Sequence, residues 1–440
     1  MMFSDKQLKQ LIIPLLVEQI LAVTVGLADS VMIAGVGEAA VSGVSLVDTV
    51  MVLLINVFSA LATGGAVVSG QYLGQKHSAD ASKAADQLVL FTGALSLVIT
   101  VLVYGGQNLI LDGVFGKIEA DVMKNARIYL LIVTASIPFL ALYNAGAALF
   151  RAMGNSQISM KTSLLMNAIN ICGNGILIFG MKWGVAGAAI PTLVSRMAAA
   201  VVILLLLRKQ DQEIHLTKPF QWKFDGPTVK KILHIGVPNG LENSVFQLGK
   251  ILVLSLVSGF GTASIAANAV SNTIGMFQVL TGMAMGLAML SVAAQCVGAQ
   301  AYDQVRYYTK KLLKMTYLFM IAMNLLVVLA LPLILKVYNL SPETSAMTEQ
   351  IILYHAACCV TIWPLSFFLP NTLRAANDVR LTMWVSIGSM WIFRIGFSYV
   401  LGKYLGLGVF GIWVAMTIDW LFRGICFSIL YLRGKWQYMK

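Results

Sequence analysis

The feature that most constrains this chain is a series of apolar runs, each about as long as a membrane is thick. Only 11% of its 440 residues are charged, against about 25% in a typical soluble domain, and most of the charges lie in short intervals between the runs. A helix needs about 20 apolar residues to cross the hydrocarbon layer of a bilayer. The sequence therefore predicts an all-α integral membrane protein with many spans.

Twelve transmembrane helices are predicted from these runs. Lys and Arg accumulate in cytoplasmic loops, and 21 of them lie at the termini and after even-numbered helices, against 6 after odd-numbered helices. Both termini are therefore expected to be cytoplasmic, and the short loops favour a plasma membrane, the inner membrane of a bacterial cell. The predicted helices span residues 11–35, 44–70, 88–111, 127–150, 162–181, 184–207, 232–257, 263–296, 312–335, 350–373, 381–402 and 406–432.

The two halves of the chain resemble each other. A shift of 224 residues places Pro14 on Pro238 and Glu18 on Glu242, and a shift of 223 places "FRAMGNSQISM" on "LRAANDVRLTM". Each half holds six helices, so the halves are parallel repeats. In carriers built from repeats, substrate sites lie near the bilayer midplane. The predicted parts are an N-lobe at 1–207, a cytoplasmic linker at 208–231 and a C-lobe at 232–440.

Ionisable residues inside the apolar runs are the first candidates for function, because a carboxylate at the bilayer centre costs about 2.5–3.5 kcal/mol. Some of them have a structural explanation. Asp419 and Arg423 stand four residues apart on one helix and can neutralise each other, and Asp48 can cap helix 2. The acids are Glu18, Asp29, Asp48, Glu242, Asp378 and Asp419, and the bases are Arg196, Lys250, Arg394 and Arg423.

Asp29 has no base within one turn of its own helix. Burial disfavours an ionised carboxylate, and a bound cation or a proton relieves the unpaired charge. This pattern is typical of a coupling site that holds Na⁺ or H⁺ in one state and releases it in another. Glu242 makes the same case in the C-lobe, although Lys250 lies two turns further along its helix.

Three asparagines of helix 5, Asn167, Asn170 and Asn174, lie along one helix face. Their amide oxygens can coordinate a hard cation, and hydrogen bonding between helices is the alternative. Both interpretations stay open at this stage.

The duplicated plan, together with "GLADSVMIAGVG" in helix 1, "VPNGLENSVF" in helix 7 and "LRAAND" after helix 10, resembles the MATE family (multidrug and toxic compound extrusion), with its NorM-like branch favoured. The resemblance implies antiport by alternating access, in which Na⁺ or H⁺ enters as an amphipathic organic cation leaves. The implied cation-coupling residues are Asp29, Asn170, Asn174, Thr192, Glu242 and Asp378, with Asp29, Glu242 and Asp378 as candidate Na⁺ ligands.

This sequence departs from the family pattern at two positions. Position 174 is aspartate in many members and Asn174 here, which leaves the ion preference of the N-lobe open. The N-lobe counterpart of Asp378 is Asn155, so the C-lobe acid pair is not repeated. The predicted substrate cavity carries Glu18, Met283, Met285 and Met289, although a methionine stripe is often ordinary packing.

Two other classes of function were weighed. A flippase for a lipid-linked precursor is the nearest alternative, and Lys250, Arg394 or Arg196 facing the cavity would favour it. An enzyme is not expected, because neither HExxH nor GxSxG occurs, and the missing GxxxxGK[ST] loop points to an ion gradient as the energy source. We expect no cofactor beyond the coupling ion. The expected partners are cationic amphiphiles and lipid, without nucleic acid, and the expected state is a monomer.

Overall fold

The computed structural model describes residues 2–114 and 119–438. Lys117 and Lys440, which entered the count of loop charges, lie outside these residues. The described chain is helical and contains no β-strand. Ten helices are long and apolar enough to cross a membrane, or up to twelve spans if each of two bent helix pairs counts as one. The predicted all-α membrane fold is confirmed.

We number the spans α1 to α12 in chain order, counting each bent pair as one. All twelve overlap the predicted runs. Their bounds are α1 Asp5–Ala34, α2 Glu38–Gly74, α3 Ser78–Gly105, α4 Ala120–Thr134 with Ile137–Ala152, α5 Ser156–Gly180, α6 Ala186–Leu207, α7 Gly226–Ser258, α8 Thr262–Gly298, α9 Tyr302–Tyr338, α10 Pro342–Thr361 with Pro364–Ala375, α11 Val379–Tyr404 and α12 Gly408–Arg433. Most begin earlier than predicted, by up to ten residues, whereas α6 and α12 begin two residues later and α3 ends at Gly105, six residues before the predicted end.

The two bent spans, α4 and α10, occupy the same position in the two repeats. The bend is 50° in α4 and 58° in α10. In both spans the second segment begins with a proline in its first turn, Pro138 or Pro364. Proline lacks the N–H that would continue the preceding helix, and it fits the first turn of a new one. The repeat therefore includes the bends as well as the spans.

The backbone confirms the internal repeat at its turns. Ten of the twelve described residues with positive φ form pairs separated by 223 or 224 positions, although the side chains often differ. The pairs are Gly37 with Gly261, Lys76 with Gln300, Gly154 with Asn377, Lys182 with Gly406, and Gly184 with Gly408. Two different sequences therefore take the same path through the turns between their spans.

A glycine sets the close approach of the last two spans in each repeat. A Cβ at Gly187 of α6 would lie 2.9 Å from the carbonyl carbon of Leu177 in α5, and one at Gly411 of α12 would lie 2.8 Å from that of Leu401 in α11. Only glycine fits where a helix backbone approaches this closely. These glycines end "WGVAG" at 183–187 and "LGVFG" at 407–411, two segments that match at a shift of 224 residues, so the repeat in sequence has a packing reason.

The described chain divides into two compact units, Asp5–Gly240 and the described residues of 1–4 and 241–440. The first unit contains α1 to α6, the linker and the first part of α7. The second contains the rest of α7 and α8 to α12.

The polar linker packs against the beginning of α3. Thr217 donates its backbone N–H to Oδ1 of Asp86 at 3.1 Å, and Asp225 donates its own to Oε1 of Gln87 at 2.8 Å. Asp225 also accepts hydrogen bonds from the backbone and hydroxyl of Thr228, in the first turn of α7. These bonds, with the nearby Lys83 ammonium, hold the pKa of Asp225 below its usual value.

Candidate ion and substrate sites

A chain of polar side chains joins α1, α5 and α6 in the first unit. Asn174 donates from Nδ2 to Oδ1 of Asp29 at 2.8 Å and lies 3.4 Å from Oδ1 of Asn170. Asn170 donates to the hydroxyl of Thr192 at 3.1 Å, and that hydroxyl donates to the backbone carbonyl of Ala188. The structure thus brings together the four N-lobe residues predicted from the sequence.

The local backbone explains how α5 presents these amides. Asn174 is the last residue before a π-helical segment, Gly175–Gly180, which re-aims the end of the span. Such wide turns often mark functional positions. One residue earlier, Gly173 lies against Pro191 of α6, where a Cβ would come within 2.6 Å of the proline ring. This contact holds Asn170 and Asn174 close to Thr192.

Of these side chains, those of Asp29, Asn174 and Thr192 border a cavity of about 180 Å³. Its walls include Asp29 and Asn174, a second acid, Asp48, and the phenol of Tyr129. Oδ1 of Asn174 is buried and accepts no hydrogen bond from any of the described residues. A buried carbonyl oxygen without a donor carries a desolvation cost that a cation would relieve. The cavity therefore offers carboxylate, amide and hydroxyl oxygens, which are the ligands that hard cations prefer.

One base is close to the two acids. Arg196 of α6 donates from Nη1 to the hydroxyl of Ser136 at 2.8 Å, and its charge acts on Asp29, Asp48 and Tyr129. The sequence left the role of Arg196 open, and the structure places it beside the predicted coupling acid. With both carboxylates ionised, this group keeps one net negative charge, which matches a single monovalent cation or proton.

Glu18 lies in a separate ion pair of the first unit. Its Oε1 is 3.5 Å from Nη1 of Arg151 in α4, and its Oε2 accepts a hydrogen bond of 2.7 Å from Ser159 of α5. Arg151 also donates to Ser159 at 3.2 Å. The predicted substrate-cavity acid is therefore paired with a base of its own unit, at 3.5 Å.

Glu242 repeats this arrangement in the second unit with stronger contacts. Nη2 of Arg374 donates to both of its carboxylate oxygens, at 2.9 and 2.8 Å. Arg423 lies 3.9 Å from the same carboxylate and pairs with Asp419 at 3.3 Å. Ser389 donates to Asp419 at 2.5 Å. The expected pairing of Asp419 with Arg423 is present, as part of a network that includes Glu242.

Sequence reasoning missed the partners of the two glutamates. Arg151 and Arg374 were placed in loops, just beyond predicted span ends at 150 and 373. The structure corrects this, because the helices continue to Ala152 and Ala375. The signal was present in the repeat, since "FRAMGN" and "LRAAND" place the two arginines at equivalent positions.

Asp378 lies between α10 and α11, immediately before the first residue of α11. Its backbone conformation, φ −83° and ψ 63°, is close to that of Asn155 before α5, φ −104° and ψ 66°. Its side chain is 5% exposed, and burial raises the pKa of the carboxyl above its usual value. No hydrogen bond or ion pair joins the described side chains of Asp378 and Glu242. The structure does not bring these two predicted ligands together.

The three predicted cavity methionines of α8 have different surroundings. Met285 and Met289 are completely buried within the second unit, whereas Met283 is 51% exposed. Met283 is the one of the three that offers its thioether to a bound molecule in this conformation.

Three bases surround the ring of Phe246 in α7. The guanidinium carbon of Arg394 lies 4.6 Å from the ring centroid, that of Arg423 lies 5.5 Å away, and Nζ of Lys250 lies 5.3 Å away. These are cation–π distances. The second unit therefore contains a cluster of positive charges, whereas the first unit contains a cavity lined by acids.

Two six-helix repeats in a membrane, one of them with a partly buried acid, Asp29, in a polar cavity, define a secondary carrier. The MatE family model matches residues 14–176 and 238–400, two segments whose starts and ends are 224 residues apart. The chain belongs to the MatE family. The resemblance seen in the sequence and the repeat of the spans are confirmed together.

Relatives of known name match along nearly the full length. The "Uncharacterized transporter YisQ" of Bacillus subtilis is 26% identical over 430 residues, which covers 96% of this chain and 92% of the relative. The "Probable multidrug resistance protein NorM" of Thermotoga maritima is 24% identical over 448 residues, with 98% and 93% covered.

Solved structures of similar fold also cover the whole chain. One is described as "Outward-facing conformation of a multidrug resistance MATE family transporter of the MOP superfamily", with a TM-score of 0.89 and 20% identity. Another is described as "Reverse polarity of binding pocket suggests different function of a MOP superfamily transporter from Pyrococcus furiosus Vc1 (DSM3638)", with a TM-score of 0.90 and 20% identity. In both comparisons 99% of this chain and 96% of the other are covered. At this identity they show the fold alone.

Proposed function

We propose that this protein is a cation-coupled antiporter that exports amphipathic organic cations by alternating access. It belongs to a family of transporters, and relatives of similar length are named multidrug resistance proteins. The observation that carries the proposal is the hydrogen bond of 2.8 Å from Asn174 to Asp29, beside an amide oxygen that has no donor. We place the protein in the plasma membrane as a monomer, with both termini cytoplasmic.

The coupling step follows from this hydrogen bond. While Asp29 is ionised, the amide N–H of Asn174 donates to it and ties α1 to α5. An arriving Na⁺ would bind the carboxylate, and a rotated amide would supply its oxygen in place of its N–H. A proton on Asp29 would remove the charge that the N–H now faces. Either event changes the contact between the two helices, so ion binding is linked to helix position.

In this proposed mechanism, the C-lobe acids Glu242 and Asp378 have a secondary role in binding the coupling ion. Glu242 would have to release the two hydrogen bonds of Arg374 before it could bind a cation. Asp378 has no such partner and is the more available of the two. We therefore assign the first coupling ion to Asp29, Asn170, Asn174 and Thr192.

We propose Glu18 and the methionines of α8 as residues that contact the cargo. Met283 is exposed and suits the variable shapes of amphipathic cations, because its thioether is flexible and polarisable. Met285 and Met289 would take part only after a rearrangement of the second unit. Glu18 would attract a cationic group where Arg151 leaves its carboxylate incompletely bound, at 3.5 Å.

The test is efflux of an amphipathic fluorescent cation from proteoliposomes, with a Na⁺ gradient and a pH gradient imposed separately. Acceleration by one gradient is expected, and it names the coupling ion. Asp29→Asn should abolish the acceleration, whereas Asp121→Asn, at an exposed position of α4, should keep it. No acceleration by either gradient in the wild type would overturn the proposal.

A flippase for a lipid-linked precursor is the second candidate. It is favoured by the positive charges of Lys250 and Arg394 near Phe246, since such cargo carries phosphate groups. The same vesicles distinguish the two functions. Gradient-independent translocation of a lipid-linked precursor, without dye efflux, would favour the flippase.

A further inference from the structure

The cluster of bases around Phe246 contains more positive charge than its own acids balance. Arg374 pairs with Glu242, and Arg423 pairs with Asp419. Within the described residues, neither Lys250 nor Arg394 has a carboxylate within 4.0 Å. These two side chains leave the cluster with an excess of two positive charges inside the span region.

Packing alone does not offset the free-energy cost of this excess charge. A base at the bilayer centre costs about 2.5–3.5 kcal/mol on the insertion scale. Long basic side chains can reduce this cost by extending towards the membrane surface. Lys250 and Arg394 instead converge on one aromatic ring and are close enough to repel each other. Two like charges held together in this way are typical of a site for a negative group.

The repeat strengthens this argument. At a shift of 224 residues, Arg394 occupies the position that Asn170 has in the N-lobe. Asn170 belongs to the polar chain that we assign to the coupling cation. The C-lobe thus carries a cation where the N-lobe carries a candidate cation ligand. Equivalent positions in the two lobes therefore favour ligands of opposite charge, a cation in the N-lobe and an anion in the C-lobe.

The surroundings of the two bases indicate what kind of molecule carries the negative group. Lys250 is exposed, and Arg394 is partly exposed. Apolar side chains next to them on the same helices are also exposed, including Ile251 at 48% and Trp391 at 50%. A carboxylate or phosphate can bind the bases while an attached apolar chain covers these side chains. Arginine offers a planar fork for such groups and lysine a point charge.

We propose that Lys250 and Arg394, held by Phe246, form a binding site for the carboxylate or phosphate group of an amphiphile. This site does not rest on the proposed export of organic cations, because its ligand carries an anionic group and its binding can be measured without a gradient.

The experiment is calorimetric titration of the full-length protein in nanodiscs of phosphatidylcholine. The probes are octyl phosphate, octanol, octyltrimethylammonium and inorganic phosphate. We expect octyl phosphate to bind the wild type, and Lys250→Met and Arg394→Met each to weaken it about tenfold or more, the effect of losing one charge-assisted hydrogen bond. Lys336→Met, an exposed charge at the end of α9, is the matched control and should leave the affinity unchanged.

Equal affinity for octyl phosphate in the wild type and both variants would overturn the proposal, and so would equal affinity for octanol. Competition by inorganic phosphate would support the site and identify a free anion as sufficient. Its failure to compete, with octyl phosphate still bound, would support the site with a lipid-like headgroup as its ligand. If octyl phosphate binds but neither imposed gradient accelerates dye efflux, the result would support the site while contradicting the export function.

Discussion

Glu242 accepts hydrogen bonds on both of its carboxylate oxygens from Nη2 of Arg374, and the equivalent Glu18 is 3.5 Å from Arg151. In both repeats the first helix is therefore tied to the fourth by a glutamate–arginine pair. A carboxylate and a guanidinium inside a bilayer stabilise the fold only as a pair, because either one alone carries an uncompensated charge.

Loss of one partner of the C-lobe pair should be costly. We expect Arg374→Met to lower the free energy of unfolding by about 3–5 kcal/mol, since it leaves a buried charge without its main partner. The double variant Glu242→Gln/Arg374→Met should recover most of this loss. Chemical denaturation in detergent micelles measures both values, with Arg380→Met as an exposed control. A double variant no more stable than Arg374→Met would contradict the pairing.

The N-lobe pair should be less sensitive. Ser159 donates to Glu18 at 2.7 Å and would remain after the arginine is removed. Arg151→Met should therefore cost about 1–3 kcal/mol, the penalty for a weakened hydrogen bond to a charged group. The same denaturation experiment compares it with Arg374→Met. The prediction fails if the N-lobe variant is the less stable of the two.

The spans, the repeat and the acids of the first unit could be predicted because each rests on a local pattern. Apolar length determines a span, and Asn170 and Asn174 lie on one face because of helical periodicity. The four N-lobe residues came from the family resemblance, and the structure joins them by hydrogen bonds. The π-helical turn after Asn174 could not be predicted from these local patterns, because it depends on packing against α6.

The partners of the glutamates could not be predicted from span ends. An arginine one residue beyond an apolar run counts as a loop charge, and only the three-dimensional structure shows that Arg374 contacts Glu242. The burial of Met285 and Met289 could not be predicted from the sequence either. Most of α8 is apolar and none of it is charged, so hydropathy alone does not show which of its faces packs inside the unit.

The contact between Gly173 and Pro191 should matter for the coupling site. A Cβ at 173 would approach the proline ring within 2.6 Å, whereas one at Gly175 would have no neighbour within 4 Å. We expect Gly173→Ala to separate α5 from α6, to cost about 1–3 kcal/mol by overpacking and to slow gradient-driven efflux. Gly175→Ala is the matched control. Equal stability and equal efflux in the two variants would remove the proposed role of this contact.

The attachment of the linker should depend on pH through Asp225. Its folded pKa is lowered by Thr228 and Lys83, so the carboxylate stabilises the fold above the ordinary aspartate pKa of about 3.9. This contribution is lost as the pH falls through the lower folded value. Asp225→Asn should therefore lower the melting temperature at neutral pH, and the difference from wild type should shrink in acid. A difference that does not change between neutral and acidic pH would show that charge has no part in it.

Restoring a second carboxylate in α5 should tighten cation binding in the N-lobe. Asn174→Asp would place a negative charge next to Asp29, where the side chains now stand 2.8 Å apart, and Arg196 would balance only one of the acids. At an effective dielectric constant of 20, a unit charge 4 Å away contributes about 4 kcal/mol as an upper limit. We expect at least about a tenfold increase in Na⁺ affinity, which is about 1.4 kcal/mol, measured by radioactive Na⁺ binding. Asn339→Asp adds the same charge at an exposed helix end and should not change the affinity. An unchanged affinity in Asn174→Asp would place the Na⁺ site away from Asp29.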